Sequence, residues 1–264
     1  MIARIRITLA VLFVAIVTLV LLPFQLLFLK LRLPWRNRLP RQWHRLTLWA
    51  LGVRVTVHGQ PSRERPLLVV ANHASWLDIL ALGAIADVTY VAKAEVRDWP
   101  VFGLLARLQR SIFIEREQPR KSQAQAGDMA GRLNEGDIVV LFPEGTTSDG
   151  NKLLPIKSSL FAAATAAAAH APSGTVHVQP VAIAYTKVHG MAMGHYNRPL
   201  AAWPGDVDLL PHLLGVLKEG ALDVEISFGT PIDVTPATNR KILSAQAEGE
   251  IYDMLHRMLR RRPH

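Results

Sequence analysis

Four short stretches combine residue types that could activate a hydroxyl, hold it and neutralise charge. The first runs from Leu67 to Asp78 and reads L-L-V-V-A-N-H-A-S-W-L-D, with Asn72, His73 and Asp78 after an apolar run. A neutral histidine takes a proton from an alcohol. A carboxylate bonded to its other nitrogen fixes the tautomer and stabilises the imidazolium that forms. Ser75-x-x-Asp78 also fits a capping box, in which the acid satisfies backbone donors. The residues alone leave both readings open. The second stretch, Phe142 to Gly150, places Glu144, Gly145 and Thr146 where a strand should end. Glycine lets a ligand approach the backbone, and hydroxyls and N–H groups bind polar headgroup atoms; an ordinary turn has the same composition. The third is Arg116, after Ser111-Ile112-Phe113-Ile114-Glu115. A fixed guanidinium holds a phosphate bidentately, although most arginines sit on solvated surface. The fourth, Val178-Gln179-Pro180-Val181, carries a proline that marks an edge or a bulge if it lies in a strand; it reads as structural.

The elements that must position these residues alternate. Val53–Val57, Leu67–Ala71, Val88–Ala92, Ser111–Ile114, Asp137–Phe142, Val176–Tyr185 (broken by Pro180) and Leu222–Phe228 read as strands. Segments 76–82, 99–108, 118–133, 158–170 and 239–262 read as helices, with Ser75 able to cap the first. The fold expected is α/β: a mostly parallel or mixed sheet flanked by helices, with an N-terminal membrane-anchoring helix pair. His73 and Asp78 then fall at a strand-to-helix junction, where α/β proteins place their chemistry.

Residues 1–51 read as the anchor and 52–264 as the α/β domain. Ile7 to Leu29 runs without a charge, and about 23 residues suffice to cross a hydrocarbon core. Pro23 interrupts the run, so a shallow or broken insertion stays open beside a true span. Arg4 and Arg6 precede it; Lys30, Arg32, Arg36, Arg38, Arg41 and Arg45 follow, which orients the C-terminal side to the cytoplasm. From Pro40 to Leu51 a helix carries Leu39, Trp43, Leu46 and Ala50 on one face. Trp35, Trp43 and Trp49 suit a headgroup interface.

Of the 264 residues 50% are hydrophobic, and the formal net charge is +9. That combination points to an anionic membrane surface or an acidic partner. The basic residues cluster at the anchor and the C-terminus rather than on an aromatic-interleaved platform, which argues against nucleic acid. With no cysteine there is no disulfide, Cys-ligated zinc or thiol nucleophile. His44, His58, His170, His177, His189 and His195 lack ligand spacing, so no metal is expected.

Asn72-His73-(four residues)-Asp78, Phe113-Ile114-Glu115-Arg116, Phe142-Pro143-Glu144-Gly145-Thr146 and Val178-Gln179-Pro180-Val181 together resemble the four ordered blocks of the glycerolipid acyltransferases. The likeness spans Leu67 to Tyr185 and is to the bacterial 1-acylglycerol-3-phosphate acyltransferase type. It implies that His73 deprotonates a lysolipid hydroxyl and Asp78 holds His73. It implies also that Arg116, Glu144, Gly145 and Thr146 position the acceptor headgroup, and that acyl-CoA or acyl-carrier protein is the co-substrate, with no other cofactor. The implied setting is the bacterial inner membrane, catalytic domain on the cytoplasmic side. Members commonly carry Arg after E-G-T, where Thr147 stands here. E-G-T-T-S-D-G with Leu153-Leu154-Pro155 and Lys157-Ser158-Ser159 also resembles the lyso-ornithine-lipid O-acyltransferases of the same superfamily. Arg116 favours the phosphate acceptor, giving phosphatidic acid, with lyso-ornithine lipid as the alternative. A non-catalytic membrane lipid-binding module is the alternative of another class.

Overall fold

The computed structural model describes residues 2–115, 122–205 and 207–260. Helix α1, Ile2–Lys30, is the one helix among the described residues long and apolar enough to cross a membrane, with a mean hydropathy of 2.8. It is continuous through Pro23. Helix α2, Trp35–Leu51, ends at Gly52, whose φ of 72° is open to glycine at little cost and lets its N–H close on Leu48 and Trp49.

The face of α2 that packs differs from the expected one. His44, Thr47, Leu48 and Leu51 are buried against α3, Leu77–Ile85, whereas Leu46 and Trp49 are exposed. Gly83 of α3 makes this possible, because a side chain there would collide with the His44 ring. Trp43 is not free for headgroups: its Nε1 donates to Thr18 Oγ1 of α1 at 2.8 Å. Arg41 pairs with Asp87 at 3.3 Å, and Arg45 Nε donates to the Ala84 carbonyl at 2.8 Å. Helix α2 thus packs on α3 of the α/β domain as well as on α1.

Among the described residues nine strands form one mixed sheet: β1 Val53–His58, β2 Leu67–Ala71, β3 Val88–Lys93, β4 Ile112–Ile114, β5 Ile138–Leu141, β6 Val176–Val188, β7 Met191–Ala192, β8 Leu222–Phe228 and β9 Ile232–Val234. The order is β1-β8-β6-β2-β5-β3-β4, with β7 and β9 both on β6. Strands β6, β2, β5, β3 and β4 are mutually parallel; β8 runs antiparallel to β6, and β1 parallel to β8. Central β2 is buried along its length. Leu67, Val69 and Ala71 face the layer holding α2, α3 and α8 (Leu209–Glu219). Leu68 and Val70 face the layer of α5 (Ser122–Asn134), α6 (Ala162–Ala168) and α9 (Arg240–Arg260). Burial on both faces is why β2 reads as an uninterrupted apolar run rather than an alternating one.

Pro180 does not break β6. It sits in the middle of the sheet, where the antiparallel neighbour changes: β9 covers Val176–Val178 and β8 covers Val181–Val188. A residue without an N–H fits the gap between two partners, and the Pro180 carbonyl still accepts from Gly229 N–H at 2.8 Å. The irregularity in β6 falls instead between Tyr185 and Lys187. Helix α8, the short α7 (Gly194–Asn197), β7 and β9 are elements the sequence pattern did not reveal. Helix α4 starts at Phe102 rather than Trp99 and ends at Leu108.

His44 is 3% exposed, and its Nε2 meets Gln109 Oε1 at 3.1 Å. Burial lowers its pKa from 6.5 to about 4, partly opposed by Gln109. A base whose folded pKa lies below its unfolded value binds protons preferentially in the unfolded chain. Stability from this packing is therefore complete above pH 6.5 and is lost as pH falls towards 4. Unfolding measured at pH 7.5 and at pH 5 is expected to show wild type losing about 2 kcal/mol more than His44→Gln over that interval. Equal losses would refute the assignment.

Candidate active site

Strand β2 carries the chain to Asn72, whose side chain acts as a further rung of the sheet. Its Oδ1 accepts the Ile183 N–H at 2.7 Å, and its Nδ2 donates to the Ile183 carbonyl at 3.0 Å. Bonding both ways to one residue of β6 fixes the exit of β2, and His73 leaves it in a defined direction.

The His73 ring is held at one edge and on one face. Nδ1 lies 2.8 Å from Asp78 Oδ2, and the ring stacks on Phe142, centroids 4.0 Å apart and planes 14° from parallel. Among the described residues nothing bonds Nε2, and the side chain keeps 17% of its surface exposed. With Nδ1–H facing a carboxylate, Nε2 is the nitrogen left to accept a proton.

The same Asp78 oxygen also accepts the N–H groups of Ala74 at 2.7 Å and Ser75 at 2.9 Å. The capping reading and the base-orienting reading therefore describe one atom: Asp78 closes the turn and holds the imidazole together. Helix α3 begins one residue later than a Ser75 cap would place it; Ser75 Oγ makes a 3.3 Å contact with Leu77 N–H and also hydrogen-bonds the Tyr185 hydroxyl. The other Asp78 oxygen, Oδ1, accepts the Tyr185 hydroxyl at 2.6 Å. Asp78 and Tyr185 are both fully buried. Burial, and then the Asp78 charge, hold the Tyr185 pKa well above 10, so it remains a donor.

Strand β5 delivers the second half of the site. Phe142 follows it and supplies the stacking ring. Glu144 then lends one oxygen to each of two backbone groups: Oε1 accepts His73 N–H at 2.5 Å and Oε2 accepts Leu154 N–H at 2.8 Å. On the other side of His73, its carbonyl accepts Ser148 N–H at 2.8 Å. Both peptide groups of His73 are thus clamped by the Pro143–Ser148 loop. Glu144 is 3% exposed; burial raises its pKa from 4.5 to about 8 against the pull of the two N–H donors. This corrects the role expected of Glu144: its carboxylate is committed to the backbone and braces the His73 loop instead of facing an acceptor. Gly145 takes a φ of 79° in the turn, with its N–H on the Phe142 carbonyl at 3.2 Å. Thr146 is the exposed member of the trio, and Thr147 and Ser148 behind it are buried. Arg116 lies outside the described residues; β4 ends two residues before it.

Gln179 of the fourth block does not reach the site. It is buried and ties the Gln60–Ser62 turn to Gly229: its Oε1 accepts Ser62 N–H, and its Nε2 donates to the Gln60 and Gly229 carbonyls. His177, without ligand spacing in sequence, is brought beside Glu64 and Asp233, with its Nδ1 2.7 Å from Asp233. That exposed group sits at the opposite end of β2 from His73, level with Leu67. Sequence reasoning missed Tyr185 and the ring of Phe142. A tyrosine ending the apolar run V-A-I-A-Y was a usable signal, since a buried hydroxyl needs a partner.

The geometry can be set beside known proteins. A family model described as Acyltransferase matches residues 54–184, from β1 to the heart of β6. The chain is 56% identical over 262 residues to the lyso-ornithine lipid O-acyltransferase of Rhizobium meliloti (strain 1021), covering 99% of this chain and 90% of the relative. It is 52% identical over 259 residues to that of Brucella abortus (strain 2308), covering 98% and 97%. The 1-acyl-sn-glycerol-3-phosphate acyltransferase of Neisseria meningitidis serogroup B is 33% identical over 218 residues, covering 82% of this chain and 80% of the relative. Among solved structures, the 1-acyl-sn-glycerophosphate acyltransferase of Thermotoga maritima shares the fold, with a TM-score of 0.65 at 21% identity, covering 99% of this chain and all of that one. Near-full-length identity of this order, on a chain whose His73 and Asp78 lie in hydrogen-bond contact, shows that the protein belongs to the acyltransferase family, as one of its lysolipid O-acyltransferases.

Proposed function

We propose that this protein transfers a fatty acyl group from an acyl thioester to the free hydroxyl of a lyso-ornithine lipid at the membrane. The observation that carries the chemistry is the His73–Asp78 pair, with Nδ1 held at 2.8 Å and Nε2 left without a protein partner among the described residues. In this reading Nε2 takes the proton of the acceptor hydroxyl as its oxygen attacks the thioester carbonyl. The C–S bond then breaks, the imidazolium returns the proton to the leaving thiolate, and an ester and a free thiol result. No covalent enzyme intermediate is needed, so positioning supplies much of the acceleration. Asp78 stabilises the imidazolium, and Tyr185, Ala74 and Ser75 hold Asp78 in turn.

Two features support ornithine lipid as the acceptor. The relatives matching nearly the whole chain carry that name, which reverses the order of acceptors expected from the motifs alone. Thr147, small and buried, also stands where phosphate-type members commonly place an arginine. The second reading, acylation of 1-acylglycerol 3-phosphate to phosphatidic acid, is favoured by Arg116 and by the Neisseria relative. The donor in either case is acyl-CoA or acyl-carrier protein, whose acidic surface suits a chain of net charge +9. The setting we infer is the cytoplasmic face of a bacterial inner membrane. There α1 is the anchor and Lys30, Arg32 and Arg38, which are exposed, meet anionic headgroups.

Three outcomes are expected. His73→Ala should lower acyl transfer by roughly two to four orders of magnitude while circular dichroism shows the fold retained; a variant as active as wild type removes His73 as the base and favours a lipid-binding module. Glu144→Gln puts an NH2 against a backbone N–H. It should cost about 1–3 kcal/mol of stability and lower kcat, as read by denaturant titration and steady-state kinetics. With a single donor, kcat/KM for an ornithine-bearing lysolipid should exceed that for a phosphate-bearing one by about tenfold or more, the scale at which a polar headgroup mismatch is felt. A preference for phosphate would reinstate the second reading.

A further inference from the structure

Ahead of α4 the chain makes a tight and unusual turn. Phe102 N–H donates to the Pro100 carbonyl at 2.7 Å, spanning Val101 alone, whose φ is 64° and ψ −58°. A γ-turn of this hand is strained, and more so with a β-branched residue at its centre. The turn is nevertheless locked. Gly103 N–H donates to Trp99 O and Leu105 N–H to Val101 O, each at 2.9 Å. Any side chain at Gly103 would collide with the Arg97 carbonyl, and Arg107 Nε closes on Gly103 O at 3.2 Å.

What this rigid knuckle presents outward is apolar. Val101 is 65% exposed, Leu104 43%, Trp99 39% and Phe102 38%. Strain held in place by its surroundings marks positions with a task, and here it displays hydrocarbon. The knuckle follows β3, so it lies at the carboxyl end of the parallel strands, the end at which β2 delivers His73. It is also joined to the anchor. Gln25 of α1 donates to the Arg36 carbonyl at 2.9 Å and the Leu108 carbonyl at 2.8 Å, tying α1, the start of α2 and the end of α4 into one block level with the starts of β3 and β5, so α4 links the knuckle to the anchor across the depth of the sheet. Exposed Leu31 and Trp35 belong to that block, with Arg38 over the Trp35 ring. Lys93, Arg97 and Arg107 are exposed around the knuckle, against Glu95 and Asp98. Aromatic and aliphatic tips among cations fit the boundary between headgroups and acyl chains.

We propose that Trp99–Leu104 is a second membrane-inserting element, seated among the acyl chains of a phospholipid leaflet beside α1, which holds the His73 end of the sheet against the bilayer. It deepens the lysolipid reading above, and its test is independent of turnover. The sequence has no cysteine. Val101→Cys in the full chain therefore gives a single thiol at the knuckle, and Ser173→Cys one on an exposed turn before β6, at the other end of the sheet. Each thiol carries a polarity-sensitive fluorophore, and the protein is placed in phosphatidylethanolamine–phosphatidylglycerol vesicles with or without brominated acyl chains. The label at 101 should shift to the blue and lose most of its emission to bromine, and the label at 173 should do neither. A label at 101 as unquenched as that at 173 overturns the proposal. So does a blue shift without quenching, which would mean that protein, such as a second copy, covers the knuckle. As a functional arm, Val101→Asp should raise KM for vesicle-borne lysolipid about tenfold with kcat and thermal midpoint little changed; an unchanged KM also overturns it. Failure of acyl transfer altogether would leave the quenching result standing, so the two readings fail separately.

Discussion

The structure depends on one buried carboxylate. Asp78 has no contact with solvent, and four donors converge on its two oxygens: the His73 ring, the N–H groups of Ala74 and Ser75, and the Tyr185 hydroxyl. A charge taken out of water without such partners would cost several kcal/mol. The donors come from β2's exit, the first turn towards α3 and β6, so the carboxylate is satisfied only when all three are in place. Satisfying it and aiming the imidazole are the same event.

Sheet order makes that convergence possible. Strand β2 lies between β6 and β5. One neighbour supplies Ile183 for the Asn72 amide and Tyr185 for Asp78; the other runs into Phe142, Glu144 and Ser148, which support the His73 ring and its two peptide groups. The arrangement leaves the base little freedom before substrate arrives, and preorganisation of this kind lets direct acyl transfer proceed without a covalent stage. The proline in β6 belongs to the same logic. It falls where β6 exchanges β9 for β8, so the longest strand passes through the sheet without an orphaned donor.

The membrane relation follows from a second set of contacts. Helix α2 is buried on α3 through His44 and Gly83, so α1 is held by a packed support rather than a loose linker. Gln25 carries that support to the end of α4. The apolar helix and the apolar turn before α4 are therefore fixed relative to the His73 end of the sheet.

Much of this was legible in the chain itself. Apolar runs bounded by turn residues marked seven of the nine strands, because buried strands have no alternative composition. The uncharged run after Arg6 marked α1 by its length and composition, although its apolar side chains are mostly exposed. The pairing of His73 with Asp78 was legible because both lie within one turn, where local geometry decides contact. Only the tertiary structure could decide what depended on residues far apart in sequence. Tyr185 meets Asp78 across 107 positions, and Glu144 meets His73 across 71. Neither partnership leaves a local pattern. The role of Glu144 shows this most clearly: its place in E-G-T pointed to an acceptor, and only the fold shows its oxygens spent on backbone N–H groups. Likewise the period of α2 allowed several buried faces, and the absent side chain at Gly83 selected the one carrying His44.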